Sequence, residues 1–258
     1  MKEIYLIPDR AAMKESLELL KEYSGNYEYN DFFAANILED KKKQLEIIEE
    51  YARFRSDFSR DTIHGAFLDV TVHSTDPLIR QVSELRVRQS MELAKEMGVR
   101  GIVFHTNRIF GFREAEYLSN WKKKNETFFK RVAEEFPSIE IYMENMFDEA
   151  PDVLAELAEN MRDVSTFGIC LDYAHAAAFG KKSHEWIRCC APYIKHMHIN
   201  DNDLQEDLHL AVGQGKINWE QWQKELEENH VSATVLIEVK GVEKQRASLE
   251  YMKQKKLI

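Results

Sequence analysis

The chain has 258 residues, 44% hydrophobic and 31% charged, with a formal net charge of −10 at pH 7. That length buries a substantial core, and the acidic balance argues against a sequence-independent grip on nucleic acid, which needs a basic face. The first residues, MKEIYLIPDR, hold too short an apolar run for a signal peptide, and no stretch reaches a membrane-spanning length.

A short apolar run followed by a charged helical stretch recurs along the chain. Residues 4–7 form the first run, and 13–23 follow with helical spacing at Leu17, Leu19, Leu20 and Tyr23. The second run is 27–33 (YEYNDFF), with a helix over 41–54. The third is 62–70 (TIHGAFLDV), followed by a long amphipathic helix over 77–97 that ends at Gly98. The fourth is 101–105, with a helix from about 121 to 135, and the fifth is 139–144, with 151–160 behind it. The sixth is 168–172, and 184–190 begins its helix. The seventh is 193–199, with a helix over 219–229, and the eighth is 234–239, with 242–255 closing the chain. Eight such units are what a closed (β/α)8 barrel requires, and continuous apolar runs suit parallel strands covered on both faces. A doubly wound open sheet is the runner-up, but no Gly-rich phosphate turn follows the first strand. The expected fold is α/β, a single (β/α)8 TIM barrel over residues 1–258.

Chemistry in such a barrel sits at the C-terminal strand ends. The third run leads to His64, Asp69 and His73, and the fourth ends at His105. The fifth ends at Glu144-Asn145, the sixth at Asp172 with His175 beyond, and the eighth at Glu238. The seventh alternates, so His196 and His198 point the same way, and the loop behind it carries Asp207 and His209. Imidazole and carboxylate together are the ligand set of Zn²⁺, Mn²⁺ or Fe²⁺. Each residue alone has a bland reading: Asp172 as a helix cap, His105 as a satisfied core histidine. A carboxylate or imidazole closing nearly every later strand is improbable for a purely structural protein, because buried unpaired charges cost several kcal/mol. Phe32, Phe33, Phe67, Phe110, Phe112, Trp121 and Phe147 can form an apolar wall of a pocket, although core or lid packing is the commoner use. Arg108, Arg113 and Lys240 can meet a phosphate or carboxylate, or simply face water. Asp201-Asn202-Asp203 resembles a Ca²⁺ loop only superficially. The three cysteines, Cys170, Cys189 and Cys190, lack metal-type spacing, so no disulfide framework is expected and the cytoplasm is the default compartment.

These residues resemble the xylose-isomerase-like barrel superfamily, which holds sugar isomerases and epimerases, related dehydratases, and apurinic endonucleases of the endonuclease-IV type. The match runs from HGAFLDV to LIEVKG and is weakest over the first sixty residues or so. The resemblance implies one divalent ion, Mn²⁺ or Zn²⁺, on Glu144, Asp172, His198 and Glu238. The endonuclease-IV type adds two more metals, for which His73, His105, His175, Asp207 and His209 are the candidates, or else these residues position substrate. GICLDYAHAAAFG and DLHLAVGQG resemble that family's metal segments closely, whereas the IPDR end of the first strand and the acidic loop after the second depart from it. The first expectation is therefore a sugar or sugar-phosphate isomerase or epimerase, with Glu144 and Glu238 as acid and base and His64, Arg108 and Lys240 toward a small sugar substrate. The alternatives are a zinc phosphodiesterase acting on abasic DNA, a keto-sugar dehydratase or lyase, and a binding protein without turnover. Nucleic acid and membrane are not expected partners, and an oligomer is compatible with the sequence.

Overall fold

The computed structural model describes residues 2–180 and 182–258. The first half carries β1 (Ile4–Leu6), α1 (Met13–Glu22), β2 (Asn26–Tyr29), α2 (Ala35–Leu38), α3 (Lys41–Ala52), β3 (Thr62–His64), α4 (Pro77–Met97), β4 (Gly101–His105) and α5 (Ala115–Glu135). The second carries β5 (Glu140–Glu144), α6 (Asp152–Asn160), β6 (Phe167–Asp172), α7 (Tyr173–Ala178), α8 (Ser183–Cys190), β7 (Ile194–Ile199), α9 (Trp219–Glu228), β8 (Thr234–Ile237) and α10 (Val242–Gln254). The strands pair in sequence order, all parallel, and β8 closes on β1 to complete an eight-stranded barrel. No helix among the described residues is long and apolar enough to cross a membrane.

Local chemistry sets the helix ends. Asp76 accepts from Leu78 N at 2.8 Å, Pro77 occupies the first turn of α4, and Gly98 takes φ 69° at its end. Asp40 and Asn218 cap α3 and α9 in the same way. The structure departs from the expected elements in three places. Strand β3 stops at His64 because side chains of α4 take over the next amides: Ala66 N donates to Ser90 Oγ and Thr71 N to Ser83 Oγ. Helix α5 starts at Ala115 rather than near 121, and its Tyr117 hydroxyl accepts from Ile109 N at 2.9 Å, tying the first turns to the preceding loop. The short helices α2 and α7 lie in stretches with no helix expected.

The main core lies between strands and helices and includes the fully buried Trp121, Trp186, Trp219 and Trp222. The barrel interior is different. Val103, Tyr142 and Cys170 form one small apolar cluster and Tyr5, Ile7 and Leu236 another, while Glu28, Thr62 and His196 are buried without exposure. Ionisable groups removed from water need partners, and here they lead upward to the barrel mouth.

Candidate metal centre

The strand register assembles the site. His105 lies opposite Glu144 in the β4–β5 pair, and Asp172 opposite His198 in the β6–β7 pair. Among the described residues four donor groups result, in each of which the ligand atoms lie within 4.8 Å of one another: Cys170, His196 and His198, buried inside the barrel, and three at its mouth, namely His64, His105 and Glu144; Glu144, Asp172, His198 and Glu238; and His175, Asp207 and His209. Glu144 belongs to two of them. Its Oε2 is 3.0 Å from His105 Nε2 and 3.5 Å from His64 Nε2, while its Oε1 is 3.2 Å from His198 Nδ1 and 3.7 Å from His175 Nδ1. In the third group Asp207 Oδ2 is 3.0 Å from His209 Nε2 and 3.4 Å from His175 Nε2.

Backbone carbonyls orient most of these rings. Nδ1 of His64 donates to Gly65 O at 3.0 Å, Nδ1 of His175 to Asn145 O at 2.9 Å, and Nδ1 of His209 to Glu238 O at 2.8 Å. A carbonyl only accepts, so the proton sits on Nδ1 and the Nε2 lone pair is left for the site. Asp172 does two things at once. Its Oδ1 caps α7 by accepting from His175 N at 2.6 Å, while its Oδ2 is buried with no hydrogen bond. The cap and the ligand readings are thus compatible, one oxygen each.

A divalent cation fits this donor set. Both oxygens of Glu144, Oδ2 of Asp172, Nδ1 of His198, Oδ1 of Asp207 and Oε2 of Glu238 are buried without a hydrogen-bond partner, an expensive state that a cation among them relieves. The mix of imidazole and carboxylate suits Zn²⁺ or Mn²⁺. Burial raises Asp172 to about 8, helped by the charges of Glu238 and Glu144. Burial alone would lower His175, but Asp172, Asp207 and Glu144 outweigh it and hold the ring well above the usual imidazole range. His198 is likewise held high by Cys170, Glu144, Glu28 and Glu238 against its burial. Glu144, flanked by His198 and His105, stays well below the usual carboxylate range despite burial.

Of the residues expected at the site, Glu144, Asp172, His198, Glu238, His105, His175, Asp207 and His209 come together as donors. His73 does not. It is buried against Tyr117 and Trp121, with its Nε2 3.4 Å from the Tyr117 hydroxyl, and His64 stands beside His105 instead. His64 ends β3 and points into the barrel, whereas His73 lies beyond the point where the strand gives way to loop. Arg108 is tied to Asp148 at 2.9 Å, and Lys240 is exposed just past Glu238. Phe67 packs edge-on against His64 and tilted against His105, while Phe32 and Trp121 belong to the core. Asp201 is no Ca²⁺ ligand in this arrangement. Its carboxylate accepts from Gly213 N, Ile217 N and Trp219 Nε1 and so organises the loop carrying Asp207 and His209. Sequence reasoning placed Asn145 at the end of the fifth strand without a role, and its side chain brackets the Asp172 backbone through two 2.9 Å bonds; it missed Glu28, which lies beneath His198. A charge in the middle of a short strand between two tyrosines was the available signal for Glu28.

Among known proteins, an uncharacterised protein of Methanocaldococcus jannaschii is 28% identical over 235 residues, 89% of this chain and 86% of its own length. A probable endonuclease 4 of Nitratidesulfovibrio vulgaris is 24% identical over 192 residues, 66% of this chain and 67% of its own. The crystal structure of a D-tagatose 3-epimerase-like protein is alike in fold, with a TM-score of 0.76 at 23% identity, covering 98% of this chain and 96% of that one. The profile of the xylose isomerase-like TIM barrel matches residues 26–255, and the chain belongs to that family.

Proposed function

We propose that the chain is a divalent-metal-dependent phosphoester hydrolase acting on a small, sugar-type substrate. The observation that carries this reading is the Glu144 carboxylate, with Oε2 facing His105 at 3.0 Å and Oε1 facing His198 at 3.2 Å, one oxygen in each of two donor groups. A carboxylate shared in this way would offer one oxygen to each of two donor groups, and His175 brings the third group alongside. These residues would hold divalent ions, which when bound would supply Lewis-acid chemistry toward a phosphoryl group and water. The carbonyl-pinned rings of His64, His175 and His209 hold their Nε2 atoms in place, so little reorganisation is needed during the reaction. Asp207 and His209 are the more open donors and stand where a substrate approaches. Lys240, exposed beside Glu238, is suited to a phosphate oxygen, and Phe67 offers an apolar face to a sugar ring. The likeness to a probable endonuclease 4 supports phosphoester chemistry, and the epimerase-like fold supports a sugar.

The second reading is the one-ion sugar isomerase or epimerase. It is favoured by Glu144 and Glu238 both flanking His198 Nδ1, at 3.2 and 3.5 Å, as two carboxylates able to exchange a proton beside a carbonyl. Metal content per chain, measured together with phosphate release from sugar phosphates and interconversion of free ketohexoses, separates the two. Two or three ions with chelator-sensitive hydrolysis are expected. One ion with epimerisation and no hydrolysis overturns the first reading in favour of the second.

A further inference from the structure

We infer that Glu28, at the bottom of the site in β2, is a positioning residue that fixes which nitrogen of His198 faces the metal. The inference rests on the metal-centre reading above. His198 is unlike His64, His175 and His209, whose Nδ1 atoms are pinned by backbone carbonyls. Its ring stands inside the barrel, where the strand carbonyls are engaged in ladder pairing, so a side chain has to do the orienting. Glu28 reaches across from β2 to do so: its Oε1 faces His198 Nε2 at 3.0 Å, a close electrostatic contact without hydrogen-bond alignment, and neither atom has another partner. A carboxylate attracts a proton and offers none, so the Glu28 charge at 3.0 Å favours the neutral His198 tautomer with its proton on Nε2, and the Nδ1 lone pair is directed between Glu144 and Glu238. The ring then enters the site through Nδ1, opposite to the three carbonyl-pinned rings.

Glu28 is itself held from below. Thr62 Oγ1 donates to its Oε2 at 2.8 Å, and His196 Nε2 lies 3.2 Å from the same oxygen. His196 is fixed in turn by Thr234 Oγ1 at 2.5 Å from its Nδ1 and by the Tyr142 ring stacked 5.3 Å away at 25°. Both Glu28 and His196 are fully buried. A buried carboxylate is costly to keep, and a hydrophobic strand residue would fill the same space. Its position behind a metal-facing imidazole accounts for that cost, since such partners raise the ligand's basicity and lock its tautomer.

The test compares parent, Glu28→Gln and Thr62→Val proteins titrated with Zn²⁺ and with Co²⁺ as a visible reporter, after thermal melts in chelator. Glu28→Gln is expected to weaken one class of ion by about 10–100-fold and to shift the visible bands of the Co²⁺ protein. Thr62→Val, which removes only the hydroxyl holding Glu28, is expected to move both in the same direction by less, and it decides the matter if the Gln variant does not fold. Unchanged affinity and spectrum in a folded variant, even with a lowered melting temperature, reduce Glu28 to a structural group and leave the metal reading standing. A parent that binds no ion at low micromolar metal overturns both.

Discussion

Several donors of the candidate site are held toward their protonated forms, and a cation binding there would displace those protons. Asp172 is raised to about 8 and His209 to about 9, and His175 and His198 are held above the usual imidazole range. A group raised in this way opposes a cation while it holds its proton and ceases to as pH rises through its pKa. Zinc affinity is therefore expected to climb between pH 6 and 8, by about tenfold per pH unit for each proton displaced. Calorimetric titrations in buffers of different ionisation enthalpy check this, and zero proton release would contradict it. His73, which the structure sets apart from these donors, makes the opposite prediction. Burial, with a smaller contribution from Arg108, depresses it to about 4. The folded state then binds fewer protons than the unfolded chain, so its contribution is fully present above pH 6.5 and lost as pH falls toward 4. The loss is expected to reach at most about 3 kcal/mol, and His73→Phe, which keeps the ring packing, should flatten denaturation curves across that window. His64 and His73 belong to one stretch of sequence, and only the short β3 ladder shows that His64 is inside the barrel and His73 beyond the strand. Glu144, Asp172, His198 and Glu238 were readable because each stands at or next to the end of a short apolar stretch.

At the scale of elements, the loop behind β7 depends on one carboxylate. Asp201 Oδ2 accepts from Gly213 N at 2.8 Å and Trp219 Nε1 at 2.9 Å, and its Oδ1 accepts from Ile217 N at 3.1 Å. Gly215 passes so close that a methyl group there would sit 2.3 Å from Asp201 Oδ1 and Asn202 O. Asp201→Ala leaves these buried donors unpaired, at about 1–3 kcal/mol apiece. The variant is expected to melt several degrees lower and to lose the ion held by Asp207 and His209 before the one at Glu144. Loss of all ions together would mean the loop is not an independent support. The helices with strong caps, α3, α4 and α9, were legible because Asp, Asn, Pro and Gly mark their ends. Helix α7 was not, because its cap is Asp172, which reads equally well as a ligand, and its six residues are too few for a periodic signal.

The molecule as a whole closes a barrel that its eight repeated runs announced, yet the paired charges at its mouth appear only in three dimensions. Arg10 binds Asp31 and Glu50, Arg108 binds Asp148, and Arg113 binds Glu149. These arginines are therefore neutralised by neighbouring carboxylates, and among the described residues Lys216 and Lys240 are exposed cations of the segments after β7 and β8. A duplex grip releases counterions in proportion to the phosphates it neutralises, and two lysines against a chain of net charge −10 neutralise few. Binding to a duplex containing an abasic site is thus expected to be weak, with a Kd of about 10⁻⁴ M or above at physiological salt and a shallow salt slope. A small phosphorylated sugar needs only one or two such contacts, so its turnover should survive at salt concentrations that abolish any duplex binding. Fluorescence anisotropy with the zinc-loaded protein measures the first quantity and phosphate release the second. Sub-micromolar duplex binding with incision at the abasic site would make nucleic acid, rather than a free sugar ester, the substrate of this centre.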